Sequence, residues 1–446
     1  MRFNKSLMAL LCVPFVSSAS AQIINAGFED RFNDWIESDV NEVISTSTLS
    51  NTGSLAARIQ GTGGRLSQVV SVEPNSTYEI SAQLRGAGRL RVELSDDERP
   101  TTRVNNGSEY GEISFEFETG EFDEANIVLE YSGSEGRWDD LQLTLVDQDE
   151  LDDRARAEQF GLNPNSSPWV NFDLSDWALD APNEDPEDGL SARTSDADFA
   201  DGELFPGSEE FFYTANDGGM VFKSPVNGAR TSSNTSFPRS ELREMLRAGD
   251  TSIRTAGVSK NNWALGYQPD NPDIGARNGS LKATLRVNQV TSTGDDGQVG
   301  RVIIGQIHAL SDEPMRLYYR KLPDNELGGI YAAHEIRDGD DTVINLIGSR
   351  SRSASNPEDG IALGEVFSYE IINEGALIEV IIRRGDNNGE IIAQTSFDMS
   401  EDELNSGYDL EEEWMYFKAG AYTQNNTGDD DDFDLVTFYR LENLHD

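Results

Sequence analysis

Tyr416-Phe417-Lys418-Ala419-Gly420-Ala421-Tyr422-Thr423-Gln424 alternates polar and apolar side chains with a period of two. Successive side chains of a β-strand point to opposite faces, so Tyr416, Lys418, Tyr422 and Gln424 share one face. Gly420 leaves a gap between them. Two earlier segments have the same pattern. In Arg239-Ser240-Glu241-Leu242-Arg243 the charged residues fall on one face, and Ser240 and Leu242 on the other. In Gln306-Ile307-His308, just after the apolar run Val302-Ile303-Ile304, an amide and an imidazole share a face opposite Ile307. Each segment alone has a plain explanation: a solvated strand face, or a histidine satisfied in a core. Together they bring guanidinium, ammonium, amide, imidazole and phenol groups to strand faces that could line one groove for an acidic chain.

The rest of the chain supports strands. Leu281–Val287, Leu317–Tyr319, Ile378–Ile382 and Leu435–Tyr439 are short apolar or alternating runs separated by Gly- and Asn-rich turns. Residues 22–147 behave likewise: Thr77–Arg85, Arg89–Leu94 and Glu112–Phe117 alternate, with no long stretch of helical spacing. Residues 148–166 are acidic, then polar, with little apolar periodicity. They are expected to form a linker with one helical turn around Arg154–Phe160. The expected fold class is all-β: a β-sandwich over 22–147, the linker, and a larger sandwich or jelly roll over 167–446.

The first 21 residues read as an export signal. Arg2 and Lys5 precede an apolar run from Leu7 to Val16, and Ala19-Ser20-Ala21 offers a small-residue cleavage site. The run is shorter than the roughly 18–20 residues a bilayer crossing needs. The expected product is a secreted monomer with no membrane association after export. Cys12, in the signal, is the single cysteine. The chain has 35 basic and 81 acidic residues, a net charge of −46. Nucleic acid is a poor partner for such a surface, because its binding depends on neutralising phosphates with Lys and Arg. An acidic substrate would need a locally basic site.

The three alternating blocks, in this order, resemble the signature blocks of polysaccharide lyase family 7. Phe172-Asp173-Leu174-Ser175-Asp176-Trp177 resembles the family's first strand, and Phe212-Tyr213-Thr214 followed by Met220-Val221-Phe222 extends the likeness, which covers roughly 167–446. The resemblance implies a β-jelly roll with a concave cleft that cuts alginate by β-elimination with no cofactor. It implies that Arg239 and Gln306 stabilise the uronate carboxylate, with Arg243, Lys418 and Gln424 helping to bind. Glu241 would orient the arginines. Tyr422 is implied as the acid for the leaving oxygen, and for one sugar epimer as the base; His308 is the base for the other. Isoleucine at the centre of Gln306-Ile307-His308 accompanies guluronate-containing substrates in the family.

The N-terminal region has its own resemblance. Asn25-Ala26-Gly27-Phe28-Glu29, with Trp35, is similar to the opening of β-sandwich carbohydrate-binding modules, and Trp138-Asp139-Asp140-Leu141 to their closing strand. The likeness implies a structural calcium held by Glu29 and Asp140. Two other readings stay open. A jelly-roll glycoside hydrolase would need paired carboxylates, and the only Glu-x-Asp-x-x-Glu match is Glu37–Glu42, in the small module. A non-catalytic glycan-binding protein would not need His308 and Tyr422 beside the basic residues.

Overall fold

The computed structural model of the chain describes residues 22–94, 107–402, 404 and 406–446. The expected export signal lies outside the described residues. The chain divides into two compact units at Leu151/Asp152.

The N-terminal unit is an antiparallel sheet of seven strands, in which Thr77–Glu93 and Glu124–Leu145 pair along most of their length. The runs expected as two strands, Thr77–Arg85 and Arg89–Leu94, are thus one strand with a bend, its register shifting between Gly86 and Gly88. The bend requires both glycines. A Cβ on Gly86 (φ 88°) would lie 2.2 Å from Glu135 O, and one on Gly88 would lie 2.1 Å from the Trp138 ring. The two halves of the sheet enclose one core that includes Phe28, Ile80, Leu90, Leu129 and Trp138.

The larger unit packs two sheets face to face. One has seven strands in the order 212–214, 220–225, 433–444, 279–289, 366–374, 377–384, 391–398. The other has nine, with the main path 341–347, 327–335, 315–320, 301–308, 416–423, 239–244, 177–184, 191–194. Between them lies one apolar layer. The nine-stranded sheet contributes Leu242, Ile307, Phe417, Ala419 and Ala421, and the facing sheet contributes Ala283, Leu285, Tyr369 and Phe438. Burying these residues holds the sheets together, at roughly 25 cal/mol per Å² of apolar surface removed from water. The sequence order of neighbouring strands crosses between the sheets, as in a jelly roll.

Two expectations need correction. Residues 148–166 are not a linker with a single helical turn. Gln148–Phe160 is a helix, and its later part belongs to the larger unit. Phe160 stacks on Tyr439 at 4.8 Å, and Arg156 Nε lies 3.0 Å from Asp217 Oδ2. The expected first strand begins only at Trp177. Before it, Asp173 Oδ1 accepts bonds from Ser175 N and Oγ in a local turn that favours non-strand backbone.

Candidate active site

Strand register brings the three blocks together in the middle of the nine-stranded sheet. The central row across the strands is Gln306, Lys418 and Arg243, each opposite the next. On one side of it His308 pairs with Tyr416; on the other, Ile303 pairs with Tyr422 and Tyr422 with Arg239. Alternation puts Leu242, Ile307, Phe417 and Ala419 into the core, and so turns the polar partners to the opposite, concave face. One irregularity matters: the register slips between Ile303 and Gly305. That slip lets Ile303 and Gln306, an odd and an even position, occupy the same face. Gly420 allows the neighbouring strand to approach. A Cβ there would lie 2.5 Å from Ser240 O and 2.7 Å from Glu241 Cα.

Glu241 is fully buried at the centre. Lys418 Nζ lies 2.5 Å from its Oε2 and Arg239 Nη1 3.1 Å from the same oxygen, while Gln306 Nε2 donates to Oε1. One carboxylate therefore fixes three donors; of the two arginines expected to be oriented by it, Glu241 holds Arg239, while Arg243 has other partners. The Arg239 guanidinium lies 3.5 Å from the centre of the Tyr422 ring. Gln306 Oε1 and Arg239 Nε are buried without a protein partner. Arg243 shares the face, but its guanidinium is engaged by the protein: Nη1 contacts Met245 Sδ at 2.7 Å and Nη2 donates to Thr255 O at 2.9 Å. It lies 4.1 Å from the Tyr416 ring centre, so it braces Tyr416. Gln424 is buried, and its Nε2 donates to Thr423 O at 3.3 Å.

His308 stacks on Tyr416 at 4.9 Å, donates from Nδ1 to Ala309 O at 2.6 Å, and holds Nε2 3.2 Å from Glu313 Oε1. Burial, followed by the Lys418 ammonium, pushes its pKa down to about 3. Burial thus favours the neutral ring, while the Glu313 carboxylate favours a proton on Nε2, the nitrogen that exchanges it. The nearby Glu313 would stabilise the imidazolium once a proton arrives. Burial raises the Tyr422 phenol above its ordinary value, and Arg239 pulls the other way without reversing the shift. The cation beside Tyr422 thus moderates the burial effect; the phenol remains protonated at neutral pH.

The comparisons agree with this geometry. The family model described as alginate lyase matches residues 172–445. The chain belongs to the alginate lyase family. A Klebsiella pneumoniae alginate lyase is 47% identical over 290 residues, spanning 63% of this chain and 91% of that protein. The crystal structure of the alginate lyase from Klebsiella pneumoniae superposes with a TM-score of 0.59 at 44% identity, covering 63% of this chain and 99% of the other. The larger unit is thus a polysaccharide lyase on a jelly roll.

Some parts of the lyase site escaped the sequence reading. Asp180 is buried and paired with Arg193 at 3.0 Å. Burial works to raise its pKa, but Arg193, Lys418 and Arg239 outweigh that effect and hold it below the usual value. Asp180 is distant in sequence from the blocks it serves, and only its strand position could have signalled it; Glu313 lies five residues after His308, in the turn that follows its strand. The other histidines serve the structure. His334 is bound by Pro314 O at 2.8 Å and Ser406 Oγ at 2.9 Å, and His445 by Glu244 Oε1 at 2.7 Å.

In the N-terminal unit the residues expected to hold calcium, Glu29 and Asp140, both bind the loop 51–55. Glu29 Oε1 accepts from Ser54 N and Leu55 N at 2.8 and 2.9 Å, and Asp140 accepts from Asn51 Nδ2 and Thr52 Oγ1 at 2.8 and 2.6 Å. Glu29 and Asp140 thus clamp this loop from two sides of the sequence. Glu37 and Glu42, from the hydrolase-like match, are exposed, and Asp39 between them accepts from Val43 N and Ile44 N in a turn.

Proposed function

We propose that the lyase unit cleaves alginate by β-elimination. The observation that carries this reading is the Glu241-centred set of Arg239, Lys418 and Gln306, flanked by His308 and Tyr422 on one concave face. The reaction removes the C5 proton beside a uronate carboxylate, expels the C4 oxygen and leaves a C4–C5 double bond. Removing that proton builds negative charge next to an existing carboxylate. Preorganised donors stabilise such charge most effectively, and Arg239 with the second hydrogen of Gln306 Nε2 would supply them. Glu241 aims these donors without touching the sugar. Neutral His308 takes the C5 proton of one epimer; protonated Tyr422 gives its proton to the departing O4. For the other epimer the ionised form of Tyr422, minor in the free protein and favoured by the Arg239 cation at its ring face, takes the C5 proton and then gives it to the departing O4.

Guluronate-containing blocks are the favoured substrate in this reading, from the isoleucine in Gln306-Ile307-His308. Ile307 is fully buried in the core, so its influence reaches the sugar through the positions of Gln306 and His308. The N-terminal unit acts as a glycan-binding module, supported by its own core and its likeness to such modules; the signal-like first 21 residues support export. Alginate treated with the purified protein should lose viscosity as ultraviolet absorbance from the conjugated double bond rises. New reducing ends without that absorbance would mean hydrolysis.

A further inference from the structure

Beyond the catalytic row the concave face carries charges that the chemistry above does not use. Arg301 and Arg320 lie directly opposite each other on neighbouring strands, an arrangement that like charges disfavour. Both share the face of Tyr318, since Val302 and Tyr319 point into the core. Arg193 and Arg239 each have a carboxylate partner, yet among the described residues none lies within ion-pair distance of Arg301 or Arg320. Arg320 is only 7% exposed. Its Nη1 donates to Arg350 O and its Nη2 to Asp296 O at 2.6 Å, both uncharged acceptors. Asp296 attracts it at longer range, while Arg301 and Arg350 repel it. Arg301 Nη2 reaches only the neutral Gln424 Oε1, at 3.5 Å. The Nε atoms of Arg301 and Arg320 are buried without a partner. A polar cavity of ≈ 590 Å³ opens here, with Arg301, Arg352, Gln298, Asp295 and Asp296 in its wall.

Beside the arginines, Tyr318 and Tyr331 stack at 4.4 Å with their planes 10° apart. They form a cluster with Ile303 that reaches Tyr422. The row Tyr331, Tyr318, Ile303, Tyr422, Arg239 therefore runs unbroken across the sheet. With strands about 4.8 Å apart, Arg301 stands about 5 Å and Arg320 about 10 Å beyond the Tyr422 strand. A chain lying across the strands with its reacting sugar at Tyr422 would reach both.

We propose that Arg301 and Arg320, on the Tyr318–Tyr331 platform, form a distal subsite that binds the carboxylate of a uronate further along the same polymer. Burying the Arg320 guanidinium without an ion-pair partner is costly, and a uronate bound beside it and the half-buried Arg301 supplies a counter-charge. The planar fork of Arg matches a carboxylate in two parallel hydrogen bonds. Bound substrate thus completes an electrostatic arrangement that the protein leaves open. The inference rests on the alginate-lyase reading of the catalytic row and adds chain-length selectivity to it.

The test uses the full chain and alginate oligomers of graded length, from the shortest that the wild type cleaves up to the polymer. Arg301→Gln should raise KM for long substrates about tenfold. It should leave kcat within about twofold, and leave kcat/KM on the shortest substrate unchanged. Arg301→Lys should recover part of the loss. Arg320→Gln should behave alike; because Arg320 also holds two backbone carbonyls, its Tm is measured in parallel, and Arg301→Gln decides the matter if it unfolds. An equal loss at every length, or none at any length, would overturn the subsite. A wild type that makes no unsaturated ends would instead remove the lyase reading itself, so the two failures are distinct.

Discussion

Replacing Glu241 by Gln keeps the shape of the side chain and removes the charge that Arg239 and Lys418 share. All three groups are almost entirely inaccessible to water, with contacts of 3.1 and 2.5 Å. Removing one partner of a buried ion pair costs about 3–5 kcal/mol, because the remaining charge is left uncompensated. Here two cations lose it, which argues for the upper end. Asp180 attracts both Lys418 and Arg239, however, and would take over part of the compensation. The balance places the loss near the lower end, about 3 kcal/mol. For a unit the size of Asp152–Asp446, that corresponds to a Tm lower by roughly 5 °C. Activity should fall further than stability, since the freed Lys418 and Arg239 would no longer hold their aim. Calorimetry of the full chain, followed on the transition of the larger unit, measures the first effect. Initial rates of double-bond formation well below the new Tm measure the second. Adding Lys418→Met to Glu241→Gln should restore part of the Tm, because it removes one orphaned cation. A Glu241→Gln protein with unchanged Tm and near-normal rate would refute the reasoning: the carboxylate would then be neither buried as a counter-ion nor needed to orient the donors.

Tyr422→Phe should abolish measurable turnover on every block type while leaving Tm within a degree or two; near-normal turnover would exclude the phenol as the acid. His308 has its pKa lowered from the ordinary 6.5 to about 3, so the unfolded chain takes up this proton before the folded one does. Its contribution to stability should be complete above pH 6.5 and disappear as pH falls towards 3. On the substrate that depends on His308, the acid limb of kcat/KM should accordingly lie well below 6.5, and a limb centred there would contradict the neutral ring. Gly420→Ala should lower both Tm and kcat, because its Cβ would meet Ser240 O at 2.5 Å; a fully active, equally stable variant would show that the strands need no such close approach. Deleting 22–147 should leave activity on soluble alginate intact, as all three blocks lie in the larger unit, and a folded but inactive truncation would show that the N-terminal unit is needed for the reaction.

Period-two alternation made the three signature blocks legible, because burial of one sheet face forces every second residue outward. It held for Arg239–Arg243, for Gln306–His308 and for Tyr416–Tyr422. What alternation could not show was the slip between Ile303 and Gly305, since a bulge is a property of two paired strands. The helix Gln148–Phe160 was hidden for a related reason. Its acidic, weakly amphipathic sequence has little stability of its own, and its fixed end depends on Tyr439 and Asp217, far along the chain. The glycine bend at Gly86–Gly88 made one strand look like two. At Glu29 and Asp140 residue type alone could not show that the two carboxylates meet one loop; only the fold brings both to 51–55.

Total charge was the least informative quantity. A value of −46 argues against a polyanionic substrate, yet the face of the site gathers Arg193, Arg239, Arg243 and Lys418 around the buried Glu241 and Asp180, with Glu313 beside His308 as a third carboxylate. Glu241 and Asp180 lie buried among these cations, so they orient them without cancelling the excess. Fields fall off within about 8–10 Å in physiological salt, and a sugar carboxylate in the cleft therefore feels this local surplus more than the remote acidic surface. Arg301 and Arg320 extend the surplus beside the row that runs from Tyr422. An acidic enzyme can thus bind an acidic polymer, provided that its unpaired cations are placed on one face; strand alternation across neighbouring strands of the sheet is what places them there.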